Sequence, residues 1–233
     1  MSYEIGCDIV SCLLSHKCSA ETHELGKRMQ NVLSKCKVEL LVDSFPQGVD
    51  INAGIDSFEI DALLFLFSPK SFKSEYCRRE LAIARSRGIP VFTIRLAGDV
   101  PKTLMRRVYI NLPVLDDAAL KQQLDELGES IYVRGNLYRT IAMLPEQPPE
   151  ISYKDAQKIH DLTERTVLAE FVRQLGAQYR RVSDPNTRFW IATALGKAGT
   201  RMAGKILQGL LKEDDHPLAQ HGVLQAIETI DGQ

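Results

Sequence analysis

The chain has 233 residues, 44% of them hydrophobic, enough to bury at least one full core, and at roughly 100–200 residues per domain it holds one or two. With 29 Lys and Arg against 30 Asp and Glu, the formal charge of −1 supplies no global field for holding a polyanion, so nucleic acid is disfavoured as the main ligand. No apolar run approaches the ~20 residues that span a bilayer, no basic segment precedes the apolar residues of MSYEIGCDIV, and Cys7, Cys12, Cys18, Cys36 and Cys77 lack paired spacing; the expectation is a soluble cytoplasmic protein with no membrane attachment, disulfide framework or metal.

The first half alternates short apolar runs with amphipathic stretches. Asp8–Leu14 (DIVSCLL), Val38–Val42 (VELLV), Ala62–Phe67 (ALLFLF) and Ile89–Leu96 (IPVFTIRL) have the length and composition of strands. Their hydrophobicity is continuous rather than alternating, which predicts burial on both faces, as in a parallel sheet covered by crossover helices. Between them, Ser19–Lys35 and Ser74–Gly88 read as helices. Ser19 or Thr22 is placed to cap the first, and its Leu25, Met29, Val32 and Leu33 share a face. Ser74 is placed to cap the second, and Gly88 to stop it ahead of Pro90. Val108–Leu112 (VYINL) is a weaker fifth strand, so the β-α order predicts an open five-stranded α/β sheet. Ligands of such sheets bind at the carboxyl ends of the strands, here near Ser15–His16, Asp43–Gly48 and Ser68–Ser74.

Strand signals fade from Asp116, and Pro145, Pro148 and Pro149 interrupt any helix, so a domain boundary is expected there, with one domain over residues 1–145 and a second over 150–233. The second reads as all-helical over Tyr153–Val182, Thr187–Lys197, Arg201–Lys212 and Leu218–Ile230. A shift of 32 positions aligns Pro185 with Pro217, Ile191 with Val223, Ala192 with Leu224, Ala194 with Ala226 and Leu195 with Ile227, an internal repeat. Helix pairs with small residues at the close approach stack into α-solenoids, and the ALGKAG segment at Ala194–Gly199 resembles Ala- and Gly-rich HEAT repeats. A tetratricopeptide array is the alternative, without that family's aromatic and proline spacing. About one and a half units are visible where arrays usually need about three, so the array is expected to be capped by the helix before Val182, paired with a partner or continued in a longer chain.

Four segments of the α/β half resemble a Toll/interleukin-1 receptor (TIR) domain: DIVSCLL with Ser15-His16-Lys17, LVDSFPQG at Leu41–Gly48, FLFSPKSFKSEYCRREL at Phe65–Leu81, and IPVFTIRL. The third is the most specific, similar to the family's Ser-rich loop and helix opening on S-x-W-C-x-x-E-L, with Tyr76 in place of the commoner Trp. Leu13-Leu14 replaces the usual Ser-Tyr of the first strand, and Cys18-Ser19 an acidic residue. The resemblance implies a flavodoxin-like parallel sheet. It further implies an NAD+ glycohydrolase or cyclase of the immune, antiphage-effector type, in which Glu80 is the catalytic glutamate and NAD+ is substrate rather than cofactor.

The residues support a separate argument for that chemistry. Breaking the nicotinamide–ribose bond builds oxocarbenium-like charge, which a carboxylate beside the sugar stabilises, and nicotinamide leaves neutral without a general acid. Tyr76 precedes Glu80 by one helical turn and offers a ring for stacking. Ser15, His16 and Lys17 are placed to meet the diphosphate, Asp43 and Phe45 to line the pocket or touch a neighbouring subunit, and Ser68 to flank the site. Glu80 is expected at a pocket mouth, Cys77 in a structural role, and Arg78 and Arg79 in solvent. Expected partners are NAD+, further copies of the chain through both the TIR-like and helical parts, and a sensor protein. The competing functions are a non-enzymatic scaffold for homotypic binding and an N-glycosidic hydrolase or transferase of nucleosides.

Overall fold

The computed structural model describes residues 9–16, 20–42, 60–105, 108–111 and 117–232. The chain divides into two compact units at Asn136/Leu137, inside a long helix. The first unit is built on five parallel strands, β1 Val10–Ser15, β2 Val38–Leu41, β3 Ala62–Phe67, β4 Val91–Arg95 and β5 Val108–Asn111, in the order β2-β1-β3-β4-β5 of flavodoxin-like sheets. Helix α1 (Ala20–Leu33) and a 3₁₀ turn (Ser34–Cys36) lead into β2. The short α2 (Pro69–Lys73) and then α3 (Glu75–Arg87) connect β3 to β4, and α4 (Lys102–Met105) precedes β5. No element is predicted over 116–144, yet the longest described helix, α5 (Asp117–Met143), lies there.

Side chains alternate across a strand, and both faces of this sheet are covered. Val10, Cys12, Leu14, Leu64, Leu66, Phe92 and Ile94 meet Met29 and Leu33 of α1 and Leu120, Leu124, Leu127 and Ile131 of α5 in one cluster. Leu25 and Val32 pack at its edge, so α1 presents the predicted face. Leu13, Leu63, Phe65 and Phe67 point the other way and are equally buried, which explains the unbroken apolar runs. Each such Leu or Phe contributes ~1.5–3 kcal/mol of burial. Gly88 ends α3 with φ of 74°, its N–H reaching Ala84 and Arg85 carbonyls, a left-handed stop that glycine adopts without strain.

The second unit runs from Leu137 through α6 (Pro149–Leu162), α7 (Arg165–Leu168), α8 (Val172–Arg181), α9 (Pro185–Ala198), α10 (Arg201–Glu213) and α11 (Pro217–Asp231). The helical stretch predicted over Tyr153–Val182 is three helices. Thr163 and Glu164 are extended, and a turn at Ala169–Phe171 re-aims the chain so that Val167, Leu168, Phe171 and Leu175 all reach the core.

The repeat is visible in packing. Pro185 and Pro217 each open a helix at its first turn, where a missing N–H costs nothing. Ile191 and Val223, Ala194 and Ala226 are buried equivalents. A Cβ on Gly196 would lie 2.8 Å from Ala226 Cα, so α9 and α11 touch backbone to backbone there. The correspondence breaks at Ala192, fully buried, against Leu224, 47% exposed. Among the described residues no helix is long and apolar enough to cross a membrane.

Candidate active site

The strand order places a crevice at the carboxyl edge between β1 and β3. From β1 the chain crosses to β2 on one side, and from β3 to β4 on the other, so the connections diverge where β1 and β3 lie adjacent. Ser15 is the last residue of β1 and pairs with Phe65 of β3. Its side chain lies on the sheet face opposite Leu14, and it is there that α3 brings Glu80.

Local sequence holds α3 in place. Ser68 and Ser71 form a reciprocal capping box on α2, with Pro69 in the first turn, and Ser71 Oγ donates to the Leu66 carbonyl at 2.8 Å, tying the helix to the end of β3. The Ser68 hydroxyl, expected at the substrate, is committed to this cap, accepting the Ser71 N–H at 3.1 Å. Ser74 occupies the cap position of α3 but makes no side-chain cap; its hydroxyl engages Cys77 instead.

Ser15 Oγ donates to Glu80 Oε2 at 2.5 Å across 65 residues of sequence. Glu80 is 8% exposed and Tyr76 55% exposed, so the carboxylate sits deeper than a pocket mouth while the ring one turn earlier stands in solvent. Burial pushes the Glu80 carboxyl above the ordinary carboxylate range, and the Ser15 hydrogen bond offsets part of that rise. Cys77, 1% exposed and within reach of Ser74 and Ser15, has its thiol pushed up chiefly by burial, with the Glu80 carboxylate adding to the rise. A thiolate is disfavoured there, in keeping with a structural cysteine.

The structure thus unites Ser15 and Glu80, with Cys77 alongside, and puts Tyr76 on the same helix facing outward. His16 follows Ser15 and is half-buried. Lys17, Asp43 and Phe45 lie outside the described residues. Arg78 and Arg79 are exposed, Arg79 pairing with Glu75 at 2.7 Å on the helix surface. Sequence reasoning overlooked Arg95, which closes β4 in register with Phe67 and donates from Nε to the Gly98 carbonyl at 2.6 Å, a cation on the carboxyl edge. Its signal was the single charge ending the IPVFTIRL run. Among the described residues no three His, Cys, Asp or Glu side chains are grouped to hold a metal ion.

Chemically, a desolvated carboxylate with one oxygen held by a hydroxyl is suited to stabilising positive charge that develops beside it and to accepting hydrogen bonds from sugar hydroxyls. Comparison with family models, curated proteins and solved structures gave no match.

Proposed function

We propose that the α/β unit cleaves the nicotinamide–ribose bond of NAD+. The observation that carries the reading is Glu80 itself, a carboxylate buried at the carboxyl edge of a parallel sheet and hydrogen-bonded by the terminal residue of β1. A structural ion pair would serve the fold as well, but a buried carboxylate whose pKa is raised rather than lowered costs stability, and such groups are found preferentially where chemistry requires them. The likeness of Phe65–Leu81 to the TIR pattern supports the same residue.

In this reading the C1′–N bond breaks with its electron pair leaving on nicotinamide, which becomes neutral, and the ionised Glu80 stabilises the ribosyl cation. Water attack at C1′ followed by loss of a proton gives ADP-ribose; attack by an adenine nitrogen gives a cyclic isomer. Ser15 positions Glu80, and Tyr76 supplies a ring that a bound base covers. Self-association completes the active assembly, with the segment containing Asp43 and Phe45 contributing from within the subunit or from a neighbour.

The test is incubation of the full chain with NAD+ over a range of protein concentrations, with chromatography of the products. Nicotinamide should appear with ADP-ribose or its cyclic isomer, and specific activity should climb with protein concentration. Absence of nicotinamide above the protein-free control at every concentration, in a chain that still self-associates, would replace the enzyme with the scaffold.

The Tyr76 ring gives a second expected outcome. Tyr76→Phe and Tyr76→Trp should retain most of the activity, while Tyr76→Ala should lose roughly 3–10-fold in kcat/KM, the value of one aromatic contact. Its 55% exposure means that none of these changes disturbs the core. Equal losses in the Phe and Ala variants would assign the role to the hydroxyl.

A further inference from the structure

We infer that the helical unit binds a nucleoside monophosphate in the cleft between α6, α9 and α11. The inference stands apart from the NAD+ reading and rests on a cavity of 480 Å³, within the ~300–1,000 Å³ of small-molecule sites, whose lining has the two chemistries a nucleotide needs.

One is an aromatic platform. Phe189 and Trp190, adjacent on α9, are both half-buried and line the cavity, their rings edge to face at 5.4 Å and 89°. His160 of α6 lies 5.4 Å from the indole at 49°. These contacts fix the indole orientation, and a base laid on the indole gains stacking as well as burial.

The other is unbalanced positive charge. Arg165 and Lys197 line the cavity, and none of the residues lining it carries a carboxylate. Lys197 is held by donating one of its three N–H groups to the His160 carbonyl at 2.5 Å. Asp161 pairs with His160 Nδ1 at 2.8 Å and is not among the lining residues. An exposed guanidinium at the rim with an ammonium inside matches a phosphate, which arginine grips through paired N–H donors.

The remaining polar groups are neutral. Thr193 Oγ1 donates to the Trp190 carbonyl at 2.9 Å and Thr229 Oγ1 to the Gln225 carbonyl at 2.8 Å. With their protons committed, both hydroxyls present lone pairs, and the Gln225 amide adds both donor and acceptor, suited to base edges or ribose hydroxyls. One platform and one pair of cations fit one base and one phosphate.

Trp190 is the chain's sole tryptophan, so its fluorescence reports this cleft. The full chain is titrated with AMP, GMP, CMP and UMP, and with adenosine and inorganic phosphate, following Trp emission and, in parallel, heat, so that optically silent binding is also seen. At least one nucleotide should saturate below about 1 mM, with adenosine and phosphate each at least tenfold weaker than AMP if AMP is that nucleotide, and the corresponding nucleoside tested otherwise. Arg165→Gln and Lys197→Gln, which remove the two cations assigned to the phosphate and are both checked for native circular dichroism, should each weaken the nucleotide about tenfold and leave the nucleoside unchanged. No saturable signal or heat with any of the four nucleotides, equal affinity for nucleotide and nucleoside, or wild-type affinity in both variants would overturn the inference.

Discussion

Glu80→Gln should lower nicotinamide release by ~10²–10³-fold, the loss typical of removing one preorganised charge-stabilising group, and should at the same time make the folded protein more stable at neutral pH. The second half follows from linkage. In the unfolded chain a Glu titrates near ~4.3, and burial raises the folded value above that. Below the unfolded pKa both states carry the proton and the carboxyl costs nothing extra. As pH rises through the folded pKa the native state must ionise a group it holds in low dielectric, and stability is lost. Gln is isosteric, accepts the same Ser15 Oγ hydrogen bond and never ionises. The stability gap between variant and wild type should therefore be near zero at pH 4 and larger at pH 7, read from denaturant midpoints at both. Activity of the wild type should fall on the acid side through the same raised pKa. Wild-type-like turnover in the folded variant would remove Glu80 from the mechanism, and a variant less stable at pH 7 would show that the fold depends on the charge.

Asp214→Ala should destabilise the helical unit by ~3–5 kcal/mol, the cost of removing one member of a buried ion pair. Asp214 has a side chain 1% exposed. It accepts from Tyr179 Oη at 2.6 Å and pairs with Arg188 Nη1 at 3.1 Å through one oxygen, and accepts the His216 N–H at 3.0 Å through the other. Burial, with Asp214 reinforcing it, pushes the Tyr179 hydroxyl far above its ordinary value, so it stays a donor at every working pH. Truncation strands the Arg188 guanidinium and the Tyr179 hydroxyl together. Adding Tyr179→Phe to Asp214→Ala should recover part of the loss, since one stranded donor is then gone. Urea denaturation of the single and double variants measures both. The neighbouring Arg180–Glu213 pair, with both partners about half exposed, is screened by water and should matter little. A loss at Asp214 no larger than at that pair would mean that water reaches the network.

Much of the α/β half was legible because burial on both faces leaves a signature no surface element shares. ALLFLF was read as a strand at Ala62–Phe67, and those are its bounds. Helix α3 was legible from its ends, Gly88 above all, and Glu80 was singled out from the motif around it. Two site features were not readable. Whether Glu80 is buried depends on Ser15, 65 residues away, and no local pattern encodes that meeting. Ser68 and Ser74 both precede helical turns, and only the geometry shows that Ser68 caps while Ser74 turns to Cys77. Helix α5 escaped because its apolar residues serve two cores in succession. Leu120, Leu124, Leu127 and Ile131 belong to the sheet unit, and Leu137 and Ile141 to the helical one, so its hydrophobic stripe is not that of a helix facing one core. The three-helix break across Tyr153–Val182 was hidden because apolar spacing alone does not mark a turn that lacks Gly or Pro at its corner.

The central strand carries a liability as well as a core. ALLFLF is a six-residue uncharged segment without proline, the kind that stacks into cross-β aggregates when it is exposed. In the folded unit it is harmless, since β1 and β4 pair with both of its edges and all six residues are buried. Asp61 on one side and Pro69 on the other act as gatekeepers, a charge that resists stacking and a residue that cannot extend a ladder. A chain that opens long enough to release β3 faces self-association before it can re-pair, and the lifetime of this unit is then set by its unfolding rate more than by its equilibrium stability.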